Sequence, residues 1–318
     1  MKYEKNIATL NRLVAEHAFI IPIEKHRNQD GSINEEQFKK NWEEKMEVFE
    51  KINLWERVSG FDKDPLQNEP YMVFIPAEDQ NNLRGTILVA HGGGFAIRTG
   101  CEGPNIALYF HKMGYNTAIL TYRLKPYTRF DAIADMQRAI RILRARKDEL
   151  GISDKITAMG FSAGGMLSAN CATHFDYGKT ESVDVIEKQS CRPDGVVVGY
   201  GAITAISFPR PFMMPEDYDN DLCGMNMKER IYLAAEKNIK YDTPPFFIWQ
   251  TLSDDGRFGM NLAKELSDAK IPYELHIFEG GIHGVGIADG ENDLGMDVPH
   301  ITHWGMLCDE WMQMHELK

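Results

Sequence analysis

The stretch Lys155-Ile156-Thr157-Ala158-Met159-Gly160-Phe161-Ser162-Ala163-Gly164-Gly165 decides the fold. Its first five residues read as a short buried strand, and the apolar, alanine-rich run Ala163–Thr173 reads as a helix. Between the two, Ser162 sits among small residues. Glycines on both sides permit a crowded strand-to-helix turn that presents the hydroxyl, and the N-terminus of the following helix favours developing negative charge. A glycine-serine-glycine spacing recurs by chance in many chains. The strand before it and the helix after it make Ser162 a nucleophile candidate and not merely a tight turn.

Working outward, the same grammar repeats. Short apolar runs at Tyr71–Ile75, Thr86–Ala90, Thr117–Thr121, Lys155–Met159, Gly195–Gly199, Phe246–Trp249 and Tyr273–Phe278 read as strands. Helical patterns at Asn105–Met113, Asp131–Arg146, Ala163–Thr173, Lys228–Lys237, Met260–Ala269 and His303–His315 alternate with them. This alternation predicts an α/β fold with a mostly parallel central sheet covered by helices on both faces. In the second helix Ala132, Met136, Ile140 and Leu143 form the apolar face, and its arginines are expected to face water. Residues 1–68 read as an N-terminal helical extension ahead of an α/β domain at 69–318. The extension's clearest element is a helix over Ser32–Val58, with a Ser32/Glu35 capping box and an apolar stripe of Phe38, Trp42, Met46, Phe49 and Ile52. That stripe should pack on the body or on a partner subunit, which admits a homo-oligomer. The segment 207–242 breaks the alternation and is either a lid or pocket wall or an ordinary crossover.

Composition bounds the function. The chain has 318 residues, 43% of them apolar and 26% charged, which fits a packed globule. A formal charge of −12 disfavours a nucleic-acid partner. The early apolar run Ala18–Ile23 is too short for a membrane span and unconvincing as a secretory signal. The cysteines, Cys101, Cys171, Cys191, Cys223 and Cys308, are odd in number and lack short paired spacings. They read as reduced structural thiols of a cytoplasmic protein. His300 and His303 lack accompanying ligands, so no metal is expected. Neither a P-loop nor Gly-x-Gly-x-x-Gly occurs, so no nucleotide cofactor is expected.

A serine hydroxyl needs a base to take its proton and an acid to orient that base. At the end of the strand Thr86–Ala90, His91-Gly92-Gly93-Gly94-Phe95 supplies glycine N–H groups that suit an oxyanion hole. Gly93 and Gly94 are the candidate donors, with Ala163 N–H beside the nucleophile, and His91 is read as holding the loop. His283, in Gly280-Gly281-Ile282-His283-Gly284 after a strand, is the candidate base, whereas His276 inside that strand reads as structural. The acid is Asp254 or Asp255; the other of the pair is free to cap the next helix.

In order, HGGGF at 91–95, YRLKP at 122–126, DMQRAI at 135–140, GFSAGG at 160–165, WQT at 249–251 and HIFEGGIHG at 276–284 resemble the α/β-hydrolase superfamily. Specifically, they resemble its acetylxylan esterase-like and bifunctional feruloyl/acetyl-xylan esterase-like branch, from about Glu69 to the last helix. The resemblance implies Ser162 as nucleophile, His283 as base and Asp254, five residues after Trp249, as acid. It further implies a cofactor-free serine carboxylesterase acting on short acyl esters, with small-molecule esters or acetylated oligosaccharides as substrates. Tyr122, Arg123, Trp249, Arg257 and Phe258 are candidate substrate contacts, with core packing the competing role for the aromatics. The chain departs from the family at Arg257-Phe258, where a Val-Pro turn is common, and in its long N-terminal segment. A small-amide hydrolase using the same triad, a long-chain lipase and a noncatalytic hydrolase-like binding protein remain open readings.

Overall fold

The computed structural model describes residues 29–30, 49–56, 70–79, 84–95, 98–204, 225–290 and 297–317. Eight strands form one sheet: β1 (Glu50–Asn53), β2 (Tyr71–Ile75), β3 (Thr86–Ala90), β4 (Asn116–Thr121), β5 (Ile156–Phe161), β6 (Gly195–Gly199), β7 (Phe246–Thr251) and β8 (Tyr273–Phe278). Their spatial order is β1-β2-β4-β3-β5-β6-β7-β8. From β4 across to β8 all pairings are parallel, whereas β1–β2 and β2–β4 are antiparallel.

Because both faces are covered, the inner strands are buried throughout, and alternate residues serve different layers. Ile87, Val89, Met159, Phe161, Val197, Phe247 and Trp249 point into one core. That core is closed by α1 (Pro104–His111) and by the later helix Pro299–Met314. On the opposite face Leu88, Ala90, Ala118, Leu120 and Ala158 meet α2 (Arg129–Ala145) and α3 (Ala163–Thr173). Val196, Val198, Phe246 and Ile248 pack there against Phe258, Leu262 and Leu266 of a helix at Arg257–Asp268. Besides a single unnumbered turn of α-helix at Lys147–Leu150, the other helices among the described residues are α4 (Met227–Leu233), α5 (Arg257–Asp268) and α6 (Pro299–Met314). Thr128 and Asp131 form a reciprocal capping box at the start of α2, as Asn226 and Glu229 do for α4.

Two expectations change. Most of the expected Ser32–Val58 helix lies outside the described residues, but over Glu50–Asn53 the chain is strand β1. Ile52, opposite Met72, is its one buried residue. The open edge of β2 offers a row of backbone partners to this stretch, and pairing there prevails over the helical spacing of Phe49 and Ile52. The arginines of α2 also do not all face water. Arg138 and Arg141 are 7% and 3% exposed. Arg138 pairs with Asp184 and Glu187, and Arg141 binds both Asp176 oxygens at 2.7 Å. Of the segment 207–242, the part up to residue 224 lies outside the described residues, and the rest contains α4 and a short turn of 3-10 helix at Ala235–Lys237.

Candidate active site

The four strand ends β5 to β8 lie side by side, and each delivers one polar or aromatic side chain to the same corner. At the end of β5, Ser162 adopts φ 53° and ψ −118°, a backbone conformation that a side chain rarely takes. The turn is held because Ser162 N donates to Gly199 O at 3.0 Å and α3 begins at once with Ala163. It is possible only with glycines: a Cβ on Gly160 would strike the Gly164 carbonyl, and one on Gly164 would strike the carbonyl of Ala90. The second contact sets the serine turn directly against the His91–Phe95 loop.

Ser162 Oγ donates to His283 Nε2 at 2.7 Å, and His283 Nδ1 donates to Asp254 Oδ2 at 2.6 Å. The acid and the base come from the turns that follow β7 and β8. Asp254 closes a 3-10 turn at Leu252–Asp254. The alternative, Asp255, turns the other way with φ 52° and binds the backbone and guanidinium of Arg257 at the head of α5. Burial draws the His283 imidazole down, but the hydrogen bond and charge of Asp254, with the charge of Glu102 behind them, outweigh it and hold the imidazole above its ordinary value. With Nδ1 committed to a carboxylate, Nε2 of the neutral ring is the free lone pair, and it faces the serine.

In the neighbouring loop Gly93 and Gly94 have φ of 106° and 61°, and Phe95 follows with 58°. At Gly93 that angle is accessible to glycine and strained for other residues, so the loop's N–H directions depend on it. His91 anchors the loop. Its Nδ1 donates to Gly92 O at 2.6 Å and its ring stacks on Tyr122 at 4.4 Å. Burial and the Arg98 charge push this imidazole down to about 3, so it stays neutral and structural.

Of the five candidate substrate contacts, the three aromatics take the core-packing role and the two arginines are held in ion pairs. Tyr122 is fully buried and donates to His91 O at 2.9 Å, so it buttresses the loop. Arg123 is clasped by Asp135, with Nη2 to Oδ1 at 2.8 Å, and by Asp131. Trp249 is fully buried among Tyr200, Phe161 and Trp304, because its position in β7 points to the α6 face. Phe258 is 5% exposed in the core beneath α5, and Arg257 is paired with Asp255. Two residues at this corner carried no motif. Tyr200 follows the end of β6 and lays its ring edge-on to His283 at 5.1 Å, and Glu102 is a 2% exposed acid at the approach to α1. A strand-end position between those of Ser162 and Asp254 is the one sequence signal for Tyr200; for Glu102 there is only its place in Cys-Glu-Gly-Pro.

A largely parallel eight-stranded sheet, with a serine on a strained strand-to-helix turn and strand-end partners beside it, defines the α/β-hydrolase class. The BD-FAE family model matches residues 72–266, more than half of the chain, and the chain belongs to that family. A solved structure of an acetyl ester-xyloside bifunctional hydrolase from Caldicellulosiruptor lactoaceticus is similar at 32% identity and a TM-score of 0.74. That match covers 83% of this chain and 96% of that one. Endo-1,4-beta-xylanase B of Butyrivibrio fibrisolvens is 33% identical over 229 residues, 69% of this chain. The chain spans only 35% of that relative's length. The carboxylesterase Cest-2923 of Lactobacillus plantarum shares the fold at 19% identity and a TM-score of 0.65, over 78% of this chain and 93% of that one. The chain is thus homologous to esterases of the α/β-hydrolase fold. None of its described helices is long and apolar enough to cross a membrane.

Proposed function

We propose that the protein is a serine carboxylesterase that hydrolyses short acyl esters, with acetyl groups on xylan-derived sugars as the leading natural substrate. The observation that carries this reading is the unbroken hydrogen-bond line from Ser162 Oγ through His283 to Asp254, at 2.7 and 2.6 Å. In this reading His283 Nε2 takes the serine proton as Oγ bonds to the ester carbonyl carbon. Backbone N–H groups of Gly93, Gly94 and Ala163 receive the oxyanion. The imidazolium, stabilised by Asp254, returns the proton to the departing alcohol and leaves an acyl-serine. Water deprotonated by the same imidazole then attacks the acyl carbon and releases the carboxylic acid. The sugar-acetate preference is supported by the similarity to the acetyl ester-xyloside hydrolase and by a xylanase relative.

The test is hydrolysis of p-nitrophenyl acetate, butyrate and octanoate by wild type and Ser162→Ala, with acetate release from acetylated xylo-oligosaccharides measured in parallel. Turnover that is greatest on acetate and lost in the variant is the expected result. Folded wild type with no Ser162-dependent turnover on any of these esters would sink the reading. Sugar-bound acetate left untouched while p-nitrophenyl acetate is cleaved would remove the narrower substrate.

A further inference from the structure

Linked to His283 through Tyr200 lies a buried polar cluster that the proposed acyl transfer does not use. Glu102 is 2% exposed, and its carboxylate fits so closely under Gly92 that a Cβ on that glycine would strike Oε2. Thr99 Oγ1 donates to Oε2, while Oε1 is buried without a hydrogen bond of normal geometry. A buried carboxylate is costly unless polar groups surround it.

The Tyr200 hydroxyl faces this carboxylate, and burial together with the negative charge of Glu102 pushes the phenol well above its ordinary value. The same hydroxyl accepts from Gly286 N at 3.0 Å, in the loop that carries His283. The loop is tied a second time by Trp304 Nε1, which donates to Gly286 O at 3.1 Å. Tyr200 is held in turn by its own N–H, which donates to Trp249 O at 2.8 Å, and it accepts a strained φ of 36° to reach this place. One tyrosine therefore supports the imidazole ring with its edge, holds the histidine loop with its oxygen and faces the acid beneath the glycine loop.

We infer that Glu102 and Tyr200 are positioning residues for His283, Glu102 adding a second negative charge to its surroundings and Tyr200 fixing the ring and its loop relative to the glycine loop. This deepens the esterase reading and rests on it for the role of His283. The groups that face His283 are Asp254 from the β7 turn, Glu102 from the approach to α1, Ser162 from the β5 turn and Tyr200 after β6. Cys101, next to Glu102, donates to Gly284 O at 3.8 Å, and the Arg98 charge acts on His91. Of these, Asp254 and Glu102 favour the imidazolium, so removing the Glu102 charge should let His283 stay neutral to lower pH.

The experiment compares wild type, Glu102→Gln and Tyr200→Phe, each shown folded by near-UV circular dichroism. It combines the pH profile of kcat/KM on p-nitrophenyl acetate with a titration of His283 by NMR of histidine labelled with 15N. In Glu102→Gln both the acid limb of the profile and the NMR titration move to lower pH. Either an unmoved titration or a shift to higher pH overturns the charge role. In Tyr200→Phe the acid limb stays in place while kcat falls about tenfold with KM unchanged, the loss expected when a reacting group is loosely held. An unaltered kcat overturns the positioning role. If Glu102→Gln does not fold, Glu102→Asp asks the same question, with a smaller shift in the same direction. Because the NMR titration needs no turnover, it decides the Glu102 charge role even if Ser162→Ala were to show that the esterase reading is wrong.

Discussion

Two buried constellations of charge in this molecule look alike in composition and differ in what they leave free. On the flank of α2, Asp135 is fully buried and receives Arg123 N, Nε and Nη2 and Trp55 Nε1. Nearby, Arg138 and Arg141 take up Asp184, Glu187 and Asp176. Donors and acceptors there are matched to one another, the arginines buried and their partners Asp176 and Asp184 at the surface with 46% and 39% of their side chains exposed. At the strand-end corner the line of bonds from Asp254 through His283 ends at a serine hydroxyl, and the His283 side chain keeps 31% of its surface. An abundance of buried charge marks scaffold; a chain of hydrogen bonds with one open end marks a place for chemistry.

The contrast can be broken first at its open end. Ser162→Ala should lower kcat by on the order of 10⁶-fold without altering the melting temperature, and a loss of tenfold or less in ester hydrolysis would dissolve the distinction. Asp254→Asn follows, with roughly a 10⁴-fold loss in kcat, while the neighbouring Asp255→Asn should retain most activity; equal losses would mean that the two acids are not divided in role. On the matched side, Asp135→Ala strands Arg123 and should cost about 3–5 kcal/mol in urea unfolding. The variant that remains folded should turn over ester at the wild-type rate. The pH profile sharpens the comparison further. Because Asp254 and Glu102 hold the His283 imidazole above its ordinary value, the neutral base is lost at a higher pH than for a free imidazole as the solution is acidified. The acid limb of kcat/KM should therefore lie above about 6.5, and a limb below that value would contradict the assignment. The smallest effect is expected at Arg257→Ala, where loss of the exposed pair with Asp255 should leave the melting temperature and the KM on p-nitrophenyl acetate essentially unchanged.

What could be read in the sequence follows the same division. Ser162 and His283 stand among glycines at strand ends, and such local patterns need no knowledge of distant partners. Asp254 and Asp255 could not be separated by composition. The register of one 3-10 turn sends the first toward the histidine and the second toward the head of α5. The burial of Arg138 and Arg141 was illegible because their acidic partners lie far along the chain, from Asp176 to Glu187, in a segment without regular structure. The two roles open to Trp249, substrate contact and core packing, are inseparable in the sequence for a related reason. Its neighbour in sequence leads to the acid, but the pleat of β7 turns its own side chain to the opposite layer. β1 was missed because a strand with one buried residue carries almost no pattern, and pairing with β2 supplies what its composition lacks.

The covering of one sheet face by α6 also sets a timetable. Trp304 lies flat against Trp249, with centroids 5.0 Å apart, and Trp311 closes over Phe247. Yet β8 ends at Phe278 and α6 begins only at Pro299. Translation adds about 5–20 residues each second. For on the order of a second or more, a nascent chain carries every strand of the sheet while one greasy face still lacks its last helix. A ribosome that stalled in that interval would display Phe247 and Trp249 to chaperones and proteases. Damage to α6 should therefore appear first as low yield in the cell, before any assay of the purified protein registers it.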